Sequence, residues 1–182
     1  MHTVTWKKGT DTKLDNLFTS LRKERYLDTS HRLYKNYGDE NFLSTTPIAL
    51  TICFDDNNIP EVCSSIAIRN CWPNNVYRIH NRMWKASNRK PYVRRLSDSV
   101  GYATLSQIDW LKSNTNCELC FISRQTETWE NWLMSNLNEH FGCNFKSDNH
   151  KYLTCPNECD QTCWQKIIYM GDERILEKWQ RR

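Results

Sequence analysis

A chain of 182 residues with 38% hydrophobic, 25% charged and 12% aromatic side chains is long enough for one domain with a sizeable core and short for two. Five Gly, five Pro and eight Trp argue against a disordered, collagen-like or linker-rich chain, and the longest nearly unbroken apolar run, Pro47 to Phe54, is too short to cross a bilayer. The net charge of +4 is unevenly spread: the stretch from Val62 to Ser97 has no acidic residue and holds eight of the 25 basic ones, so the remaining 17 are outnumbered by 21 acidic residues.

In chain order, Thr3 to Trp6 reads as a short strand. Leu14, Leu17, Phe18 and Leu21 then fall at helical spacing, with Asp11 or Thr12 as the cap. A second helix is predicted from Ser30 to Tyr37, ended by Gly38. Ile48–Phe54 and Val62–Ile68 are strand-like runs separated by the turn formers Asp55 to Glu61, which makes a hairpin. After Pro73-Asn-Asn75, the alternation from Val76 to Trp84 adds another strand to the same meander. Ser97 or Ser99 caps a helix running to about Lys112, with Leu105, Ile108 and Leu111 on one side. Cys117 to Ser123 is a compact strand. Thr126 or Thr128 opens a further helix ended by Gly142. Two late strands come next, one at Cys143–Phe145 or His150–Leu153 and one at Trp164–Met170.

Nine cysteines, an odd number, lack tight disulfide-scaffold spacing, and the first thirty residues show no apolar signal region. The expectation is reduced thiols in a cytoplasm, most of them packed in the core. Cys155, Cys159 and Cys163, with His150 nearby, supply zinc-ligand types, but their spacing is not that of a zinc knuckle. Packing is favoured over metal. The basic stretch reads in two ways, as a solvated face or as a surface for an anionic partner such as a nucleotide phosphate or a nucleic acid.

The order β-α-α-β-β-β-α-β-α-β-β resembles the GNAT superfamily of acyl-coenzyme A-dependent N-acetyltransferases over almost the whole chain. That resemblance implies a single α/β domain over residues 1–182. Its sheet would be mixed and mostly antiparallel, with about seven strands flanked by about four helices, splayed between the fourth and fifth strands where coenzyme A lies. In the stretch Asn131-Trp-Leu-Met134-Ser-Asn-Leu-Asn138-Glu-His-Phe-Gly142-Cys143, Asn131 and Gly142 match the family pattern, whereas Met134, Asn138 and Cys143 depart from it. The chain also resembles small uncharacterised proteins of marine bacteriophages, through Ser123-Arg-Gln-Thr-Glu-Thr-Trp129 and Lys151-Tyr-Leu-Thr-Cys-Pro-Asn-Glu-Cys159.

The family's phosphate-cradling loop opens its third helix, where glycines allow close approach and the helix end offers N–H groups. The matching stretch is Arg94-Arg95-Leu-Ser97-Asp-Ser99-Val100-Gly101-Tyr-Ala103. The resemblance thus implies acetyl-coenzyme A held by Arg94, Arg95, Ser97, Ser99, Val100, Gly101 and Asn131. Backbone N–H groups of Ser99 to Gly101 would face the phosphates. Arg94 stands seven residues before Gly101 rather than the usual three, and Asp98 adds a negative charge at that helix end.

Direct acyl transfer to an amine needs a group to take the acceptor's proton. The resemblance implies a tyrosine general acid where Asn138 stands, a residue that cannot donate a proton as an acid, and a base on the central strands, for which His80 is the first candidate, with Glu139 and His140 next. On a regular strand residues 76, 78, 80, 82 and 84 share a face. His80 would then lie between Arg78 and Arg82, cations that disfavour a protonated imidazole.

The function read from the sequence is N-acetyl transfer from acetyl-coenzyme A to a small-molecule or peptide amine, with no membrane partner. The alternative is a non-catalytic module on the same scaffold, engaging a host protein or nucleic acid through the basic stretch.

Overall fold

The computed structural model describes residues 2–27, 45–69, 74–84, 94–123, 131, 135, 144–150 and 165–170. Strand β1 (His2–Lys7) pairs antiparallel with β2 (Thr45–Phe54) in unbroken register from His2↔Phe54 to Lys7↔Ala49. Between them lies helix α1 (Thr12–Leu27), and its start is dictated by the sequence: Leu14 N–H donates to Asp11 Oδ1 at 3.0 Å, an N-cap bond. Asp15, in the first turn, accepts from Trp6 Nε1 at 2.8 Å and from Gly9 N–H at 2.9 Å. The turn that delivers Gly9 to this carboxylate needs φ = 88°, a value glycine adopts without penalty.

The expected stripe on α1 is the buried one. Leu14, Leu17, Phe18 and Leu21 pack with Trp6, Leu50, Ile52 and Cys63 on one face of the sheet.

Strand β3 (Pro60–Arg69) returns antiparallel to β2, and β4 (Val76–Trp84) antiparallel to β3. The β2–β3 turn is held by Asp55 Oδ1, which accepts from the N–H groups of Asn57 and Ile59, both at 2.8 Å, with Asn58 at φ = 60°. Asn tolerates that conformation, so a turn-rich heptapeptide becomes a hairpin as anticipated.

Helix α2 (Arg94–Asn114) covers the other face. Its Ala103, Ile108 and Leu111 join Ala49, Cys53, Val62, Ile66, Tyr77, Ile79 and Cys120 in the main core. Full burial of a side chain such as Ile66 or Ile79 is worth about 1.5–3 kcal/mol. The helix begins earlier than expected. Ser97 and Ser99 lie inside it rather than capping it, because Arg94, Arg95 and Leu96 are good helix formers and Ser99 turns inward to Glu61.

Strand β5 (Leu119–Ser123) lies parallel to β4. Strands β6 (Asn144–His150) and β7 (Gln165–Tyr169) complete a sheet of order β1-β2-β3-β4-β5-β7-β6. Strand β6 overlaps both alternatives considered for it, at Asn144 and Phe145 and at His150, and Cys143 and residues 151–153 lie outside the described residues. The mixed α/β architecture, antiparallel except at β4–β5, is the one anticipated. The predicted helix at Ser30–Tyr37 lies outside the described residues, as does most of the one after Thr126, although Asn131 and Ser135 are helical. Cys53, Cys63 and Cys120 are buried and Cys117 is half-buried, and none of the four is in a disulfide, in keeping with a packing role. Among the described residues no helix is long and apolar enough to cross a membrane.

Candidate functional site

Strands β4 and β5 start together and then part. Their parallel pairing runs from Val76↔Leu119 to Ile79↔Ile122 and goes no further. Beyond that rung β4 continues to Trp84, still paired with β3, while Ser123 of β5 pairs with Gln165 of β7. The result is a fork in the sheet. The described strands leave the β5-facing edge of β4 without a strand partner past Ile79, and such an edge is a template for an extended, amide-bearing molecule.

The closed end of the fork is tied down. Asn75 carbonyl oxygen accepts from Glu118 N–H at 3.0 Å and Leu119 N–H at 3.4 Å, and the Asn75 side-chain amide donates to the Glu118 carboxylate. Met170 N–H donates to Glu118 O at 2.9 Å, so the ends of β4, β5 and β7 are joined at one point. No motif announced this clamp.

The open side of the fork carries a β-bulge. Ser65 pairs with His80 but Cys63 pairs with Met83, so Asn81 and Arg82 together oppose Ser64. An extra residue bends a strand and re-aims the side chains beyond it. His80 is therefore the first residue past the last β4–β5 rung and the last before the bulge. The bulge also corrects the expectation of regular alternation. Met83 comes into register with Cys63 and Trp84 with Val62, so Arg82 and Trp84 do not continue the row of Arg78 and His80. Arg78 is corrected too: it is 1% exposed, opposite Ala67 and Phe121, and forms no part of a solvated basic face.

Arg94, Arg95 and Ser97 occupy the first turn of α2, which holds no acidic residue. The N–H groups left over at a helix start are those of its first turn, so Ser99, Val100 and Gly101 have theirs committed within the helix. Ser99 is fully buried, and its Oγ donates to Glu61 Oε2 at 2.5 Å. Glu61 reaches it because β3 also bulges: Cys53 pairs with Val62 and Phe54 with Pro60, leaving Glu61 as the extra residue. Burial pushes the neighbouring Cys53 thiol up from its ordinary value; hydrogen bonds from Thr3 and Ser99 oppose this, and the Glu61 charge adds to it. Sequence reading missed Glu61, whose only signal was a carboxylate just after a hairpin proline.

Asn131 is helical and exposed. Glu139, His140, Cys155, Cys159 and Cys163 lie outside the described residues, and His150 is the last residue of β6. Among the described residues no group of three or more His, Cys, Asp or Glu side chains is arranged to hold a metal ion.

The fold and its fork define an α/β protein with a mixed sheet opened between two parallel central strands. No protein-family model and no curated protein matches the sequence. Solved structures similar to it include GCN5 of Tetrahymena, at 10% identity and a TM-score of 0.48 over 94% of this chain and 97% of that one. An acyl-CoA N-acyltransferase from Pseudomonas aeruginosa gives 12% and 0.47 over 92% and 97%. The PaiA N-acetyltransferase of Thermoplasma acidophilum, in complex with coenzyme A, gives 12% and 0.45 over 92% and 98%. At these identities and scores the similarity decides nothing about activity, which has to be argued from the fork itself.

Proposed function

We propose that the protein is an acyl-coenzyme A-dependent N-acyltransferase, with acetyl-coenzyme A as donor and an amine of a small molecule or peptide as acceptor. The observation that carries this reading is the parting of β4 from β5 after Ile79↔Ile122. The pantetheine arm of coenzyme A is extended and carries amide groups, so it matches the edge of β4 that the described strands leave open, as an added strand would. Its diphosphate suits the first turn of α2, where the positive helix end, Arg94 and Arg95 combine and no carboxylate opposes them within that turn. Arginine at a helix N-terminus is unfavourable by itself, and an anion there relieves the cost.

When bound, acetyl-coenzyme A supplies an activated thioester. His80, at the crotch of the fork, is the proposed base that takes a proton from the acceptor ammonium, with Glu139 and His140 as further candidates and Asn131 beside the donor. Ser97 belongs with the phosphate-facing turn. Ser99, Val100 and Gly101 support that turn from inside α2 rather than through their own N–H groups. A cytoplasmic setting belongs to the same proposal and rests on the cysteine pattern and the sequence of the first thirty residues, and a bacterial host of a phage rests on the sequence resemblance alone. The burial of Arg78 weakens the alternative of a basic docking face for nucleic acid, and no described feature favours it.

Acetyl-coenzyme A at about 100 times its Kd should stabilise the fold by about 2.7 kcal/mol, read as a rise in Tm. Changing Arg94 and Arg95 together to Ala should remove most of that rise. With an acceptor found by screening polyamines, amino acids and peptides for thiol release, His80→Gln should cost roughly 10²-fold in turnover and leave donor affinity unchanged. Absence of calorimetric binding at millimolar acetyl-coenzyme A refutes the proposal.

A further inference from the structure

Gln107 of α2 is fully buried against the sheet, and its Nε2 donates to Ser64 Oγ at 3.0 Å. Its Oε1 is also buried and has no hydrogen-bond partner. Turning the amide over exchanges the two ends and leaves the same deficit, since Ser64 can satisfy only one of them. A buried amide of this kind is costly to keep, so its position calls for a reason.

Ser64 supplies one. It is the residue that faces the two-residue bulge of Asn81 and Arg82, between the rungs Ser65↔His80 and Cys63↔Met83. Above and below, the register of β3 and β4 is fixed by buried apolar side chains, Val62 on one side and Ile66 with Ile79 on the other. Opposite the bulge there is only a serine. An extra residue in a strand is slack that neighbouring rungs can absorb, and a shift by one place exchanges the faces of the residues it passes. From above, Gln107 ties Ser64 to α2 by its side-chain hydrogen bond.

We propose that Gln107 is a positioning residue: by pinning Ser64 from α2 it fixes the bulge of β4 at Asn81–Arg82. It thereby fixes the edge that lines the open side of the fork next to His80. The same helix carries Arg94 and Arg95 in its first turn, so one rigid element sets both ends of the proposed donor site. The link between Gln107 and the bulge stands on register and burial. Its consequence for the donor rests on the acyltransferase reading.

The test uses the full chain with Gln107→Met, which keeps the length of the side chain and removes its hydrogen bonds. In the ligand-free protein, amide hydrogen exchange at Asn81, Arg82 and Met83 should quicken at least tenfold, while the β1–β2 rungs keep their wild-type protection. Unchanged exchange at the bulge, or acceleration of every strand alike, overturns the proposal. Ser64→Ala breaks the same bond from the other side and should reproduce the pattern, so a failure of Gln107→Met to fold leaves the question decidable. The second readout is ligand discrimination. Affinity for coenzyme A, acetylated or not, should fall about tenfold in Gln107→Met, while 3′-phospho-ADP, which keeps the diphosphate but lacks the pantetheine arm, should stay within about twofold of wild type. A merely structural glutamine would lower Tm and weaken both ligands equally. Wild-type protein that binds neither ligand refutes the acyltransferase reading, and the exchange experiment still decides the role of Gln107.

Discussion

Ile79 is the last β4 residue on a rung shared with β5, where it stands opposite Ile122, and its side chain is fully buried in the core with Ile66 on β3 and the inner face of α2. Ile79→Ala removes about three buried carbons, at ~0.8 kcal/mol each by transfer. Neighbours held by two strands and a helix collapse only partly into the space, so a cavity term of ~24 cal/mol per Å³ adds to this. The sum is about 3–5 kcal/mol, within the range of buried large-to-small changes. Ile79→Val, which removes one carbon, should cost about 1 kcal/mol. Urea unfolding monitored by tryptophan fluorescence measures both, with the loss read from the midpoint at constant slope. In a chain of this length each kcal/mol lowers Tm by roughly 2–4 °C, so the alanine variant should melt about 6–20 °C early. A loss below about 1.5 kcal/mol for the alanine variant would show that this rung is not packed as described, and the fork would lose its fixed apex.

Stability should also depend on alkaline pH, because burial raises both the Cys53 thiol from 9.0 and the Tyr77 phenol from 10.0. The unfolded chain ionises first, so the contribution of each group is intact below its unfolded value and is lost as pH rises through the folded one. Urea midpoints should hold to about pH 9 and then fall, Cys53→Ala should delay the onset, and a flat profile to about pH 11 contradicts the reasoning. Asp15→Ala removes the acceptor of both Trp6 Nε1 and Gly9 N–H. Discounted for partial exposure, this should cost about 2 kcal/mol, and calorimetry showing less than about 0.5 kcal/mol would dismiss the Asp15 contacts as stabilising. Thiol titration of the native protein should leave Cys53, Cys63 and Cys120 slow to react, and immediate reaction of all three would overturn their burial.

What the sequence disclosed was periodic or punctuated. The α1 stripe, the Asp11 cap and the Asp55–Ile59 turn are local arrangements, written in residues close together in the chain. Regular alternation also located β4. Two departures from regularity escaped it. The bulge at Asn81–Arg82 carries no glycine or proline to mark it, since it arises from rungs fixed at Ile66↔Ile79 on one side and Val62↔Trp84 on the other. Ser97 and Ser99 have the chemistry of helix caps, but the direction taken by Ser99 is set by Glu61, 38 positions away. Arg78 was counted with its basic neighbours because charge is normally exposed, and only the assembled sheet shows it buried. The candidate site was thus legible as a place between two strands, whereas its detailed lining depends on contacts across the sheet.

The fork has a consequence for how the chain assembles. The described strands form one sheet, yet its two halves meet along the short seam from Val76↔Leu119 to Ile79↔Ile122. On one side β2, β3 and β4 succeed one another as a meander closed by short turns, which costs little loop entropy. On the other, β5 pairs with β7 and β7 with β6. The parallel seam forms only once the crossover through α2 has docked, so it is the slow, non-local event of folding. Native-state exchange should accordingly divide the protein into two cooperative units that open separately. A molecule lodged in the fork would touch both, and would make the two open as one.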